Sequence, residues 1–208
     1  MRFLRQSPRD PAVGKCVKCL IEAGEKDWTL TMRRIAQLRF FCSQNSFLVY
    51  DASHEPSNQA ADFKRLNSSH SAAKSPGWFR VGNAIVFQTV ARGNDHRIDV
   101  WQTPELDAPK DADRVIQLNL ALPSGDLRIF SLDYGEIVEL AAGDYILQCR
   151  AYNLGRELPE DAPPEDDATF LKHDDLERYE LVLAPGKAQQ EGVIAGPATL
   201  ESYYSRRP

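Results

Sequence analysis

The chain reads as an all-β protein, a two-layer antiparallel β-sandwich of Greek-key type with eight to ten strands and a long acidic loop before the last of them. Three observations point there. Between residues 35 and 183, short runs rich in branched and aromatic residues recur, separated by Gly, Pro, Asn and Asp turn signals at short spacing. Several of these runs alternate apolar and polar residues at period two, the mark of a strand with one dry face and one wet one. The third is the stretch 137–153, in which Tyr145, Leu147, Cys149 and Ala151 share one face while Gln148 and Arg150 share the other. Its spacing Leu140, Gly143, Tyr145 fits the corner of a Greek-key sandwich, where a tyrosine bonds back to the preceding connection, and it fits a plain hairpin equally well.

Taken in order, residues 1–31 carry Pro8, Pro11 and scattered basic residues with no sustained periodicity, and are expected to form a poorly structured extension. Met32 precedes the first strand pattern closely enough to be a natural start. Strands are expected at 35–42 and 47–51, with a turn cluster between them. Residues 53–77 are polar and punctuated by Pro56 and Pro76, and read as a long surface connection; Ala60, Phe63 and Leu66 allow one short helix within it. The runs 78–81 and 84–90 flank Gly82-Asn83, a hairpin signal, and Gly93-Asn94-Asp95 leads into 96–101, suggesting a three-stranded meander. After a Pro- and Asp-rich loop at 104–113, residues 115–122 are expected to pair through Pro123-Ser124-Gly125-Asp126 with 127–132, and Asp133-Tyr134-Gly135 leads to the strand 137–140. Tyr179, Leu181 and Leu183 mark a last strand. The segment after Pro185 reads as a tail, so the expected organisation is an extension (1–31), a sandwich (32–185) and a tail (186–208).

Composition narrows the function. At 208 residues and 42% hydrophobic, the chain has ample material for a packed core. It has neither a run long and apolar enough for a membrane span nor an apolar leader, and four cysteines in a chain of this length suit reduced thiols, so a cytoplasmic setting is expected. The net charge of −5 conceals an asymmetry: residues 1–43 carry +5, leaving −10 for 44–208. A body of that sign repels phosphates and is steered toward basic surfaces, which argues against direct nucleic-acid binding.

The motif search argues against an enzyme. No G-x-S-x-G elbow, P-loop, G-x-G-x-x-G or H-E-x-x-H is present. Cys16 and Cys19 have the spacing of half a zinc site but no second ligand pair follows, so no metal and no cofactor is expected. His54-Glu55, Asp95-His96 and His173-Asp174-Asp175 read as ordinary polar turn residues. Trp78, Phe79, Trp101, Tyr152, Tyr203 and Tyr204 leave open an alternative, a carbohydrate- or ligand-binding sandwich using an aromatic platform. The densest charge lies between Glu157 and Glu180, where ten acidic residues and three prolines face only Lys172 and Arg178.

Phe47-Leu-Val-Tyr-Asp51, the hairpin from Pro76 to Phe87, the run from Val115 to Leu120, the turn Val138-Glu-Leu-Ala-Ala-Gly-Asp-Tyr-Ile-Leu147 and Tyr179-Glu-Leu-Val-Leu183 together resemble the competence protein J family, inhibitors of the DNA-entry nuclease of competent bacteria. The resemblance covers residues 33–184. It implies a cytoplasmic, non-enzymatic, immunity-like β-protein that acts by binding a nuclease. The chain departs from the family pattern in its N-terminal extension and its longer acidic insertion. A nuclease presents a basic cleft to phosphates, so a carboxylate-rich loop on a rigid scaffold can occupy that cleft. The expected contact residues are Glu157, Glu160, Asp161, Glu165, Asp166, Asp167, Asp174 and Asp175, and the expected partner is a basic protein, a nuclease. For the N-terminal extension, removing residues 1–31 is expected to lower the melting temperature by less than about 10 °C, measured by calorimetry against the full chain.

Overall fold

Eleven strands form among the described residues of the computed structural model, which are 31–42, 45–54, 75–91, 95–107, 109, 111–131 and 134–204. The expectations for residues 1–30, for Cys16 and Cys19, for Glu55 and for a helix around Phe63 lie outside them. The strands are β1 (Arg33–Phe41), β2 (Ser46–Asp51), β3 (Trp78–Val81), β4 (Ala84–Gln88), β5 (Asp95–Gln102), β6 (Arg114–Leu122), β7 (Asp126–Ser131), β8 (Tyr134–Glu139), β9 (Gly143–Tyr152), β10 (Arg178–Pro185) and β11 (Gly192–Ala195). Two one-turn helices, α1 (Asp167–Phe170) and α2 (Glu201–Tyr204), complete the list.

The strands divide into two sheets, as the sandwich reading requires. One has the order β1-β5-β10-β9-β6-β11 and the other β3-β4-β2-β7-β8. Their inner faces interlock into one core: Phe40, Ile98, Leu118, Leu147 and Leu181 from the first meet Phe47, Val49, Ile85, Leu127 and Ile129 from the second. Period-two alternation puts these residues there. Along β9, for instance, Tyr145, Leu147, Cys149 and Ala151 enter the core, as their shared face predicts.

Local pairing is where expectation and structure part. The meander expected over 78–101 is only a hairpin, β3 with β4, because β5 crosses to the other sheet and pairs with β1 and β10. Likewise β6 and β7 are not partners: β6 pairs with β9 and β11, and β7 with β2 and β8. The turn at 123–125 is an arch from one sheet to the other, with the Gly125 amide donating to the Leu122 carbonyl (3.1 Å) and the Leu140 amide to the Gly125 carbonyl (2.8 Å). Gly125 sits at φ +83°, and a Cβ there would stand 2.6 Å from the Leu140 carbonyl oxygen, so only glycine lets the two arches approach. An arch and a hairpin use the same turn residues and the same alternation, and burial of both inner faces selects the arch.

The step from β8 to β9 is a second arch and resolves the tyrosine alternative in favour of the corner. Tyr145 reaches back to donate from its hydroxyl to the Ala141 carbonyl at 2.6 Å. Asp51, buried at the end of β2, ties down the first arch: its carboxylate accepts from the Ser124 amide (2.9 Å) and hydroxyl (2.8 Å) and from the Ser53 amide (2.9 Å). Burial alone would raise its pKa, but these hydrogen bonds outweigh burial and hold it at about 2, below its ordinary 3.8.

Two further corrections concern the end of the chain. β10 enters between β9 and β5, antiparallel to the first and parallel to the second, so the six-stranded sheet is mixed rather than purely antiparallel. No helix crosses over to make that parallel pair; the chain reaches β10 from β9 next door, and β5 already runs the same way. The expected tail folds back as well: β11 pairs with β6 as an eleventh strand, and Leu200 and Tyr203 bury against Val90. A four-residue strand opened by Gly192 is too short to show a period.

The arches make a stability prediction. Tyr145→Phe removes one hydrogen bond and is expected to lower the unfolding free energy by about 1 kcal/mol. Gly125→Ala meets both the positive φ and the Leu140 carbonyl and should lower it by more than about 2 kcal/mol. Urea unfolding with an unchanged m-value checks both.

Candidate partner-binding surface

The acidic segment runs from the end of β9 to the start of β10, neighbouring antiparallel strands, so its two ends are pinned side by side. Three prolines and the lack of apolar periodicity keep it irregular except for α1. Asp166 caps that turn, its carboxylate accepting from the Thr169 amide at 2.7 Å, and this hydrogen bond lowers its pKa. The turn delivers Phe170 into a buried position, where the Arg39 guanidinium lies 4.6 Å over its ring.

What the segment lies against is a row of arginines. Strand register sets Arg39 on β1, Arg97 on β5 and Arg178 on β10 side by side across the sheet, and their neighbours Phe40, Ile98 and Tyr179 point into the core, which puts the row on the outer face. Arg39 bonds Asp95 (2.7 Å), the Glu165 carbonyl (2.8 Å) and the Asp167 carboxylate (3.3 Å). Arg97 donates to the Leu171 carbonyl (3.0 Å), the His173 carbonyl (3.2 Å) and the Asp174 carboxylate (2.9 Å), while its Nε lies 3.0 Å from Asp99. Arg178 stacks 4.0 Å over Tyr152 and pairs with Glu180 at 3.1 Å. Asn153, itself at φ +54°, donates to the Asp174 carbonyl at 2.7 Å from the base of the segment.

The far end is fixed by Glu177, 2% exposed. Its carboxylate accepts from the Val90 amide (2.7 Å), the Ala91 amide (2.6 Å), the Gly155 amide and the Tyr179 hydroxyl, and His96 Nε2 stands 3.5 Å away. Burial opposes charge on both partners. Against it, Cys42 and Glu177 raise the pKa of His96 well above the ordinary 6.5, and His96, Tyr179 and the backbone donors hold Glu177 below its ordinary 4.5.

The eight predicted contact residues therefore fall into two groups. Glu165 turns onto His173 (3.0 Å) and Asp166 serves as a cap, so both are engaged within the fold. Asp167 and Asp174 each hold an arginine yet remain about four-fifths exposed, and Asp175, 3.5 Å from His173, is similarly open. Glu157, Glu160 and Asp161 lie exposed on the first half of the segment. Sequence reading missed the arginine row and Glu177. The alternation of Arg97 with Asp99 was a visible signal for a charged outer face, but nothing in the sequence separates Glu177 from the nine acidic residues around it.

The other candidate sites disperse. Asp95 pairs with Arg39, His96 is in the core, and His54 lies beside Asp51 at 3.5 Å. Of the aromatics, Trp78 packs on the main core, Phe79 on the outer face of the smaller sheet and Tyr203 and Tyr204 on Val90, while Trp101 lies under Arg34 and Tyr152 under Arg178. They do not make one platform. Among the described residues, no cluster of three or more His, Cys, Asp or Glu has the arrangement to hold a metal ion, and no helix is long and apolar enough to cross a membrane.

No protein-family model matches the chain, and no curated protein matches it in sequence. Solved structures do match. The crystal structure of ComJ, inhibitor of the DNA degrading activity of NucA, from Bacillus subtilis, superposes with a TM-score of 0.51 at 13% identity, covering 75% of this chain and 99% of that one. A structure described as crocagin biosynthetic gene J gives a TM-score of 0.41 at 17% identity, covering 76% of this chain and 99% of that one. The chain thus has the ComJ fold, the family that its strand runs and Leu-x-x-Gly-Asp-Tyr turn resemble.

The buried pair carries a pH signature. The contribution of Glu177 is complete above pH 4.5 and is lost as pH falls through its depressed pKa, whereas that of His96 is complete below pH 6.5 and is lost as pH rises through its raised pKa. The contribution of this pair to the melting temperature should therefore be constant between pH 4.5 and 6.5 and fall on the alkaline side above that. In His96→Gln the alkaline fall should disappear, and Glu177→Gln, which strands a buried imidazolium, should destabilise by about 3 kcal/mol or more.

Proposed function

We propose that this protein binds and inhibits a nuclease, acting in the cytoplasm as a non-catalytic scaffold that presents the acidic segment to the basic, phosphate-binding cleft of its partner. The observation that carries the proposal is the anchoring of that segment: Arg39, Arg97 and Glu177 hold it against a rigid sheet, so that Asp167, Asp174 and Asp175 project from a preset position. A charged loop that is already ordered loses less conformational entropy on binding than a free one. Likeness to the fold of ComJ, itself an inhibitor of a nuclease's DNA-degrading activity, supports the choice of partner. The free, buried thiols of Cys42 and Cys149 accord with a reducing compartment.

Exposed rim charges act mainly on association, while anchoring charges act on the segment's own order. Neutralising Glu160, Asp161 and Asp175 to amides is therefore the clean variant, since Glu165 and Asp166 are engaged within the fold. At low salt the variant's on-rate for the captured partner should fall several-fold, the gap should narrow at physiological salt where screening acts beyond about 8 Å, and the melting temperature should not move. Affinity capture followed by surface plasmon resonance makes the measurement. A captured partner without nuclease activity would overturn the reading, and a wild-type on-rate at low salt would remove the acidic segment from the interface.

A further inference from the structure

Arg114 is the first residue of β6 and is 1% exposed, among the largest fully buried side chains of the molecule. Its Nη2 donates to the Pro76 carbonyl and, at 3.1 Å, to the Ala198 carbonyl. Nε and Nη1 have no hydrogen-bond partner among the described residues. Among the described residues, the groups that act on its charge are the Tyr203 hydroxyl, the Cys149 thiol and the Tyr179 hydroxyl, and no carboxylate is among them. Burial pushes the pKa of Cys149 and Tyr179 up, so both are neutral at physiological pH. The other buried charges at this end of the core, His96 and Glu177, already answer one another. Among the described residues one positive charge is thus left without a counter-charge in the interior, and an unpaired buried ion is among the most destabilising features a fold can carry.

Beside the guanidinium lies a cavity of about 10 Å³, walled largely by apolar side chains such as Phe87, Ile116, Leu154 and Leu200, with Arg114 and Gln88 among its polar residues. That is room for a single atom-sized ligand. Gly77 keeps the space open, since a Cβ there would stand 2.9 Å from Arg114 Nη1. We infer that this cavity is an internal binding site for a monatomic anion, chloride under cellular conditions, held by the unpartnered N–H groups of Arg114. A halide accepts hydrogen bonds from those groups and cancels the charge; a water molecule does only the first. Because Arg114 also holds the carbonyls of Pro76 and Ala198, the ion would couple the entry to β3 and the segment after β11 to the core.

Two measurements decide it. Wild-type protein and Arg114→Met, an apolar replacement of similar length, are melted in chloride and in gluconate at one ionic strength and pH. The chloride-minus-gluconate difference in melting temperature should be larger in wild type by about 3 °C and should vanish as an Arg114-dependent effect in the variant. Crystals of the wild-type protein grown in bromide should show an anomalous peak beside the guanidinium. An equal salt response in the two proteins, or no bromide peak at Arg114, overturns the inference and leaves an internal water. If Arg114→Met does not fold, the bromide peak decides alone.

Discussion

The hydrogen-bond set on Glu177 is the interaction on which the rest of the architecture depends. One carboxylate gathers the chain where it leaves β4 (Val90, Ala91), where it leaves β9 (Gly155) and where it enters β10 (Tyr179), with His96 of β5 alongside. Those points belong to both sheets, so the contact fixes how the sheets meet at this end. A buried carboxylate is tolerated only when its lone pairs are filled, and here two backbone amides and a hydroxyl lie within hydrogen-bond reach besides the glycine amide. At the opposite end Asp51 does similar work for the arch at Ser124 with serine donors. Two buried acids, each well supplied with donors, thus close the sandwich at its two ends.

The acidic segment inherits its position from that closure more than from its own charges. Exposed ion pairs such as Arg39 with Asp167 contribute at most about 1 kcal/mol each. Burying the Phe170 ring contributes about 2 to 3 kcal/mol. Arg97 is itself nearly buried, and its Nη1 donates to two backbone carbonyls of the segment as well as to Asp174. The ring and those carbonyl bonds hold the segment down, leaving the carboxylates of Asp167, Asp174 and Asp175 facing outward. Such a division suits a docking element, because partner contacts can vary without loosening the anchor.

Burial of charge recurs across the outer face of the larger sheet. Asp99 is 2% exposed, with Arg97 at 3.0 Å and Arg34 at 3.5 Å, and Arg150 is buried with Asp107 at 2.6 Å. Burial raises the pKa of Asp99 despite those arginines, whereas the Arg150 hydrogen bond lowers that of the more open Asp107. The face is polar by sequence yet largely dry in the fold, since cross-strand register lets opposite charges cover one another.

Alternation, turn chemistry and composition are local properties, and what depends on them was legible along the chain: the β class, ten of the strands, the core face of β9, a tyrosine placed for a corner or a hairpin, and an acidic excess concentrated before β10. Which strands become neighbours is not local. The runs 115–122 and 127–132 read as a hairpin, and only the gain from burying both inner faces turns Gly125 into an arch between sheets. The same holds for the site. Eight carboxylates were legible as a charge run, but the segment that carries them is held down by Arg39 and Arg97, more than 60 residues away in sequence and brought beneath it by the pairing of β1, β5 and β10. Within it Glu165 and Asp166 turn onto His173 and the Thr169 amide while Asp167, Asp174 and Asp175 stay exposed. Glu177 stands in that run as one acid among ten, and tertiary structure alone made it the buried acceptor, because desolvation depends on what packs around a side chain and not on its neighbours along the chain.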